Sequence, residues 1–584
     1  MKAVLIFDSA NNLLYHKWDD QFLQRMKAFG ENNNITDSHN VSQLLSPIIT
    51  SQRVMAAQFG NTYSSMQCKD GTSIIFEEWL DHVFMIIGED TVDDAHRELL
   101  DCKTLAQHVC GLNIQLLLSP IYKEWLTVLL ESRTKGDTIP GASGVIGESG
   151  ATATALNALK SISKEIKCSH SHYHLLLYVG DKLLALYSSR GSEDLTSPDL
   201  ILLSIQCIAA QEYWQNHSDN SSGTTRLPWL SEQNSAVVHM CAGAAAPCAP
   251  HSLHVAEVAP RVVLALLVDM DIRWGEPANM TSQILANLRR LLLQRSLELL
   301  PSTLDSLEAA IKKTNDALRK CKFNSNLSAR LTARMLELRK SCTTTTPLTP
   351  ETTATAMHTA LEAVTEKLKP DIPFVRLEPP LADLRSVLAP YVEFLKVKAL
   401  RCFGLASYPF HNCLSGSITL HKYVEEFPGL IHFIYVDRTT GRFIAPDVVD
   451  CADMLSKETL RHIISRCLST CREGYTGRSW RVSSYHVCYL RWWERRSVPA
   501  QPAAPPHPAA VRALTPPVHI LPTFYRQLTE LSFPNDTKDV SLKELICIHL
   551  GLLPASTAIQ QARRLAHSVL EIAGDNSQIA TELI

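Results

Sequence analysis

At 584 residues, with 45% hydrophobic and 20% charged side chains, the chain has an ordinary globular composition and room for roughly three to five domains. Its 56 basic residues stand against 59 acidic ones, and a net charge of −3 gives no general electrostatic reason to expect nucleic acid. No apolar run reaches the roughly 18 residues of a membrane span, and residues 3–7 end at Asp8, too short for a signal peptide, so a cytosolic chain is expected. The 16 cysteines include no CxxC pair, which fits small buried side chains in a reducing compartment.

Residues 1–137 read as one α/β unit. Strands 2–7 and 13–18 form a hairpin around a polar turn. A helix follows in which Trp18, Phe22, Met26 and Phe29 recur at near-helical spacing, the pattern of a helix packed on a sheet. Strands 63–66, 73–79 and 83–88 come next, and amphipathic helices 93–110 and 120–132 close the unit. Residues 138–168 then read as a flexible linker. Gly141, Gly144, Gly147 and Gly150 superficially suggest a phosphate loop, but the Lys-Ser/Thr ending is missing and no strand feeds the segment.

A second unit is expected over 169–320. His170, His172 and His174 alternate, so on a strand they share a face and could be read as zinc or copper ligands. Same-face neighbours lie about 7 Å apart, too far for three imidazoles to close on one ion unaided, so no metal is assigned. Strands 175–179 and 183–188, a helix over 199–213 opened by Pro198, and strands 235–241, 254–258 and 262–269 repeat the first unit's order of elements. From 281 to 400 the pattern is mostly helical, broken at 343–355 and 370–380 before clean heptads accumulate. Residues 321–384 are read as a helical bridge.

The third unit, 385–584, holds the most distinctive stretch, YVEEFPGLIHFIYVDRTTGRFIAP over 423–446. An apolar run, a polar turn at 437–441 and a second apolar run describe a buried hairpin. Helix 457–472 carries Cys467 and Cys471 on one face, with no second pair to complete a tetrahedral metal site. Strands 480–482 and 484–493 follow. In YHVCYLRWWERR (485–496) the expected inner face is Val487 and Tyr489, with Arg491, Arg495 and Arg496 in water rather than stacking bases or meeting lipid. A Pro/Ala-rich insertion at 498–517 reads as a disordered or polyproline loop, and helices are expected from 538 to the end. No GxSxG, HExxH, kinase set or complete P-loop is present.

The segments MKAVLIF and LLYHKW, LLLYVGDKLLALYSS with SPDLILLSIQ, YVEEFPGL with HFIYVDRTTG, and ELICIHLGLLPASTAIQQARRLA lie in order along nearly the whole chain. Together they resemble the Hermansky-Pudlak syndrome type one family, tri-longin subunits of the biogenesis of lysosome-related organelles complex three. The resemblance implies an α/β (α+β) fold of three longin-like domains, each an antiparallel sheet sandwiched by helices, with a helical bridge. It implies an obligate heterodimer with a homologue of the Hermansky-Pudlak syndrome type four protein. That pair would act as a guanine-nucleotide exchange factor for Rab GTPases, cytoplasmic and peripherally recruited to endosomal or lysosome-related organelle membranes. Such a factor works by binding, without chemical catalysis, metal or cofactor, and the candidate GTPase or partner surface is Trp18, Phe22 and Met26. The alternative is a longin-type trafficking adaptor or tether without exchange activity.

Overall fold

The computed structural model describes residues 1–269 and 427–566, apart from short stretches of which 30–37, 218–225, 242–248 and 446–454 are the longest, and a few positions between 305 and 336. These residues fall into two compact units. One contains Met1–Thr127 and Val237–Ser252, the other Val128–Ala236, Leu253–Val268 and the described C-terminal residues. The expected helical bridge lies almost wholly outside the described residues, as does the helix expected at 382–402.

The first sheet consists of β1 (Lys2–Phe7), β2 (Leu13–Trp18), β3 (Ser65–Gln67), β4 (Ser73–Trp79) and β5 (His82–Gly88), in the order β2-β1-β5-β4-β3 with every pair antiparallel. The Asp8 carboxylate closes the first hairpin by accepting the N–H groups of Ala10 and Asn12, both at 2.8 Å. Strand β5 is buried at all seven positions, which explains its unbroken apolar sequence: helices cover both faces. On one face α1 (Asp20–Phe29) and α2 (Ser38–Phe59) place Phe22, Val41, Leu45 and Ile49 against Leu5, Phe7 and Met85. The other face carries α3 (Val92–Cys110), N-capped by Thr91, whose hydroxyl accepts the Asp94 N–H. A 3-10 turn, Ile114–Leu118, and α4 (Pro120–Ser132) follow. Helix α2 has no counterpart in the sequence reading. Pro47 sits in its interior and its polar residues are mostly uncharged, so it lacks the usual helix signature.

The stretch read as a flexible linker is structured. It contains β6 (Ser143–Gly144) and α5 (Ser149–Glu165). Its many small residues are those of a closely packed helix: Ala155, Leu159 and Ile162 lie on Leu175, Leu177 and Leu184 of the second sheet. That sheet is built from β7 (Tyr173–Val179), β8 (Lys182–Ser188), β9 (Ser235–Met240), β10 (Ala249–Ala259) and β11 (Val262–Asp269), ordered β8-β7-β11-β10-β9. Strand for strand, this is the order of the first sheet. Between β8 and β9 runs α6 (Ser197–Asn216), opened by a Thr196/Asp199 capping box with Pro198 in its first turn.

The third sheet contains β12 (Leu430–Asp437), β13 (Arg442–Ile444), β14 (Gly477–Val482), β15 (Tyr485–Arg495) and β17 (Ser541–Leu550), with β16 (Val498–Ala500) beside β15. Its order, β14-β15-β17-β12-β13, is the same topology read from the opposite edge, extended by β6 running parallel to β13. Helices α7 (Lys457–Arg472), α8 (Pro508–Arg512) and α9 (Thr523–Ser532) follow in sequence; residues of each join the core on one sheet face, and helix α10 (555–566) covers the other. The observed class is the expected one, α/β with antiparallel sheets flanked by helices. Two local expectations fail. The Pro/Ala-rich insertion contains β16 and α8 instead of being a structureless loop, and 541–550 is a strand instead of a helix. The strand is central and buried on both faces, so its leucines and isoleucines show no alternation.

Candidate partner-binding surface

The three residues nominated from the sequence lie together in the first domain, but they face inward. Phe22 is 0% exposed and belongs to the core under the first sheet, with Trp18 and Met26 half-buried against it. Trp18 stacks on Phe22 (5.9 Å between ring centroids) and on His16 (4.0 Å). The helix start is fixed by Asp19, whose carboxylate accepts the Phe22 N–H at 2.8 Å. Arg25 on the same helix donates to Thr72 at 3.1 Å and pairs with Asp70. A fully buried Phe22 cannot meet a partner without unfolding the helix, so it is a packing residue and not an interface residue.

Four exposed apolar side chains of the first domain lie next door, while Leu118 and Ile121, at 60% and 53%, are exposed where the 3-10 turn meets α4. Leu44, Val54 and Met55 on α2 and Met66 on β3 are 36–40% exposed. Leu44 and Met55, separated by three helical turns, fall on one flank of α2, with Ile48 between them only partly buried against the core. The Tyr63 hydroxyl donates to the Ile48 carbonyl at 3.3 Å and so ties the approach to β3 to the middle of α2. The single Lys, Arg, Asp or Glu in the helix is Arg53, which donates to the Asp8 carbonyl at 2.5 Å. A solvent-facing helix flank without free charge suits an apolar partner. The signal was readable as a 22-residue segment with one charged residue, but without knowing that it is helical its faces could not be assigned.

The polar groups buried elsewhere hold the fold. Arg438, expected in an exposed turn, is 7% exposed and donates through Nε and Nη2 to Glu544 Oε2 at 2.8 and 2.6 Å. It also donates to the Pro140 carbonyl and lies over the Tyr525 ring at 3.7 Å. The other Glu544 oxygen accepts from the Tyr489 hydroxyl at 2.8 Å. Arg491, expected in water, is 4% exposed and donates to Cys471 Sγ at 2.9 Å. Burial pushes the thiols of Cys467 and Cys471 upward, and those of Cys110, Cys207 and Cys547 as well, so none is primed as a nucleophile. In the histidine trio, His170 lies outside the described residues, His172 is exposed, and His174 is buried with Nδ1 2.8 Å from the Ser188 hydroxyl. Among the described residues no three His, Cys, Asp or Glu side chains form a group that could hold a metal ion, and no helix is long and apolar enough to cross a membrane.

Two family models match the chain. Residues 2–125 match the first longin domain of FUZ, MON1 and HPS1, and residues 429–572 match the third longin domain of the same proteins. The first match spans the sheet that carries the α2 surface, and the second spans the sheet built around the Arg438–Glu544 pair. The outer domains are therefore longin domains of the kind found in that trafficking-related family.

Proposed function

We propose that the chain is one subunit of a heterodimeric guanine-nucleotide exchange factor for Rab GTPases, acting in the biogenesis of lysosome-related organelles and vesicle trafficking. Its partner in this reading is a homologue of the Hermansky-Pudlak syndrome type four protein. The observation that carries the reading is the threefold return of one sheet order, with longin matches to the first and last copies. Exchange asks for no acid, base, metal or cofactor on the factor. A surface that binds the nucleotide-free GTPase more tightly than the loaded one accelerates release by that difference, tenfold for each 1.4 kcal/mol or so. The charge-poor flank of α2, with Met66 of the same domain, is a surface suited to such a partner. The chain works in the cytoplasm, peripherally recruited to endosomal or lysosome-related organelle membranes.

The test is nucleotide release from a panel of Rab GTPases by the chain co-purified with its partner. Acceleration of at least one GTPase is expected, and Leu44→Asp is expected to weaken it. Release no faster than from the GTPase alone, across the panel, sinks the exchange reading. Tight GTPase binding without acceleration would instead mark a longin-type adaptor or tether.

A further inference from the structure

Residues 550–554 turn the chain from β17 into α10, and the backbone fixes that turn on both sides. The Gly551 N–H donates to the Ser484 carbonyl at 2.7 Å, and the Leu553 N–H donates to the Leu550 carbonyl at 3.0 Å. A Cβ at position 551 would stand 2.6 Å from the Ser484 oxygen, so glycine is what lets this turn lie against the β14–β15 hairpin. Leu553 packs on the core between the sheet and α10. Leu552 does the opposite: it is 94% exposed, beside Leu550 at 41%. The result is a rigid turn with a leucine held in water at its tip.

The surroundings of the tip are basic. Arg481 pairs with His486, which pairs with His549, so Arg481 stands two strands, about 10 Å, from the end of β17. On β14 the exposed charged side chains are Arg478 and Arg481, and the guanidinium of Arg466 from α7 lies over the ring of Trp480, the residue before Arg481, at 5.3 Å. Arg478 reaches Glu473 at 3.0 Å, but both remain exposed. Three arginines against Glu473 leave a local excess of positive charge in a chain of net charge −3.

We propose that this end of the third domain is a membrane-docking tip for anionic lipid. Leu552 enters between headgroups, Leu550 rests at the boundary, and Arg481 with its basic neighbours draws the tip to the surface. The proposal rests on the peripheral-recruitment part of the function above and names the face that performs it. Two leucines on a narrow turn offer too little apolar area for a stable protein interface, while their basic surroundings match a negatively charged headgroup layer.

The experiment is co-sedimentation of the full-length chain, with its partner, on vesicles of phosphatidylcholine mixed with phosphatidylserine and on phosphatidylcholine alone. Binding to the mixed vesicles only is expected, and it should weaken as salt rises. Arg481→Glu changes two charges and is expected to lower partition about 25-fold, at about fivefold per charge. Leu552→Asp should lower it by about tenfold or more. Because Leu552 already stands in water, its variant should melt as the unmodified chain does and keep full exchange activity in solution. Leu44→Asp should do the reverse, losing exchange while keeping vesicle binding, which separates failure of this proposal from failure of the exchange reading. Equal binding to both vesicle types, or vesicle binding unchanged in Leu552→Asp and Arg481→Glu, overturns the proposal. Loss of a protein partner by Leu552→Asp with vesicle binding intact would reassign the tip to a protein contact.

Discussion

At the scale of single residues, charge inside the third domain shows what a linear reading cannot price. Arg438 sits in a sequence, DRTTG, that invites a solvated turn, and its neighbours do form one: the Asp437 carboxylate accepts the Thr439 and Thr440 N–H groups at 3.0 and 3.3 Å. Arg438 itself turns inward because Glu544, more than 100 positions later, is waiting beside it. Breaking a buried pair strands a charge, so Glu544→Gln should cost about 3–5 kcal/mol of stability, measured by chemical denaturation. Replacing both partners together, Arg438→Met with Glu544→Leu, should cost less than either change alone. A second prediction concerns His108, whose Nδ1–H donates to the His239 carbonyl at 3.0 Å while Nε2 finds no hydrogen-bond partner. Burial lowers its pKa to about 4, below the ordinary 6.5 expected in the unfolded chain. The unfolded state therefore takes up the proton first. Stability is full above pH 6.5 or so and is lost as pH falls toward 4, by on the order of 2 kcal/mol at about pH 5. Denaturation curves at neutral and mildly acid pH should show this loss, and His108→Gln should make the pH dependence shallower by about one proton.

At the scale of elements, runs bounded by turn residues were legible even where both faces are buried, as in β5 and β12, whereas β17, whose apolar residues also fit a helix, and α2, which is nearly uncharged, were not. The hairpins at β1–β2, β7–β8 and β12–β13 stand out because Gly or Asn and Asp mark their turns and the flanking runs are apolar. Helix α7 was readable from its alternating turns of Leu460, Ile463, Ile464 and Leu468 with Arg and Ser between them. Strand β17 was not, since Leu542, Leu545, Ile546 and His549 fall at helical intervals when both faces are apolar. The glycines of 138–168 misled for a related reason, because small residues serve close packing as well as flexibility. The close approach is clearest at Gly441 in the β12–β13 turn, which has φ +62° and faces Ser197, whose hydroxyl lies 3.0 Å from the Gly141 carbonyl and 3.2 Å from that of Gly441. A Cβ there would collide with the Ser197 side chain. Gly441→Ala should cost about 1–3 kcal/mol from backbone strain, with the collision added. Thermal melts should show the loss, and Ser197→Gly in the same chain should recover the part due to the collision.

At the scale of the whole molecule, the sequence by itself determined that the second unit repeats the first unit's order of elements and that a third hairpin opens the C-terminal part, the third longin-like unit being what the family resemblance implied. Polarity patterns and turn residues are local, and they survive even where the three copies share no visible identity. Tertiary structure decided the rest. It showed that the three sheets keep one strand order, that β6 is lent to the edge of the third sheet, and that α5 belongs to the second domain's core. It also showed Phe22 to be a core residue with Trp18 and Met26 half-buried against it, left Leu44 and Met55 of α2 exposed, and brought Gly551, next to Leu552, against the β14–β15 hairpin. The physical reason is the same in each case. Whether an apolar side chain is core or surface depends on what the fold lays over it, and a spacing of three or four residues reports a shared face without saying which way that face looks.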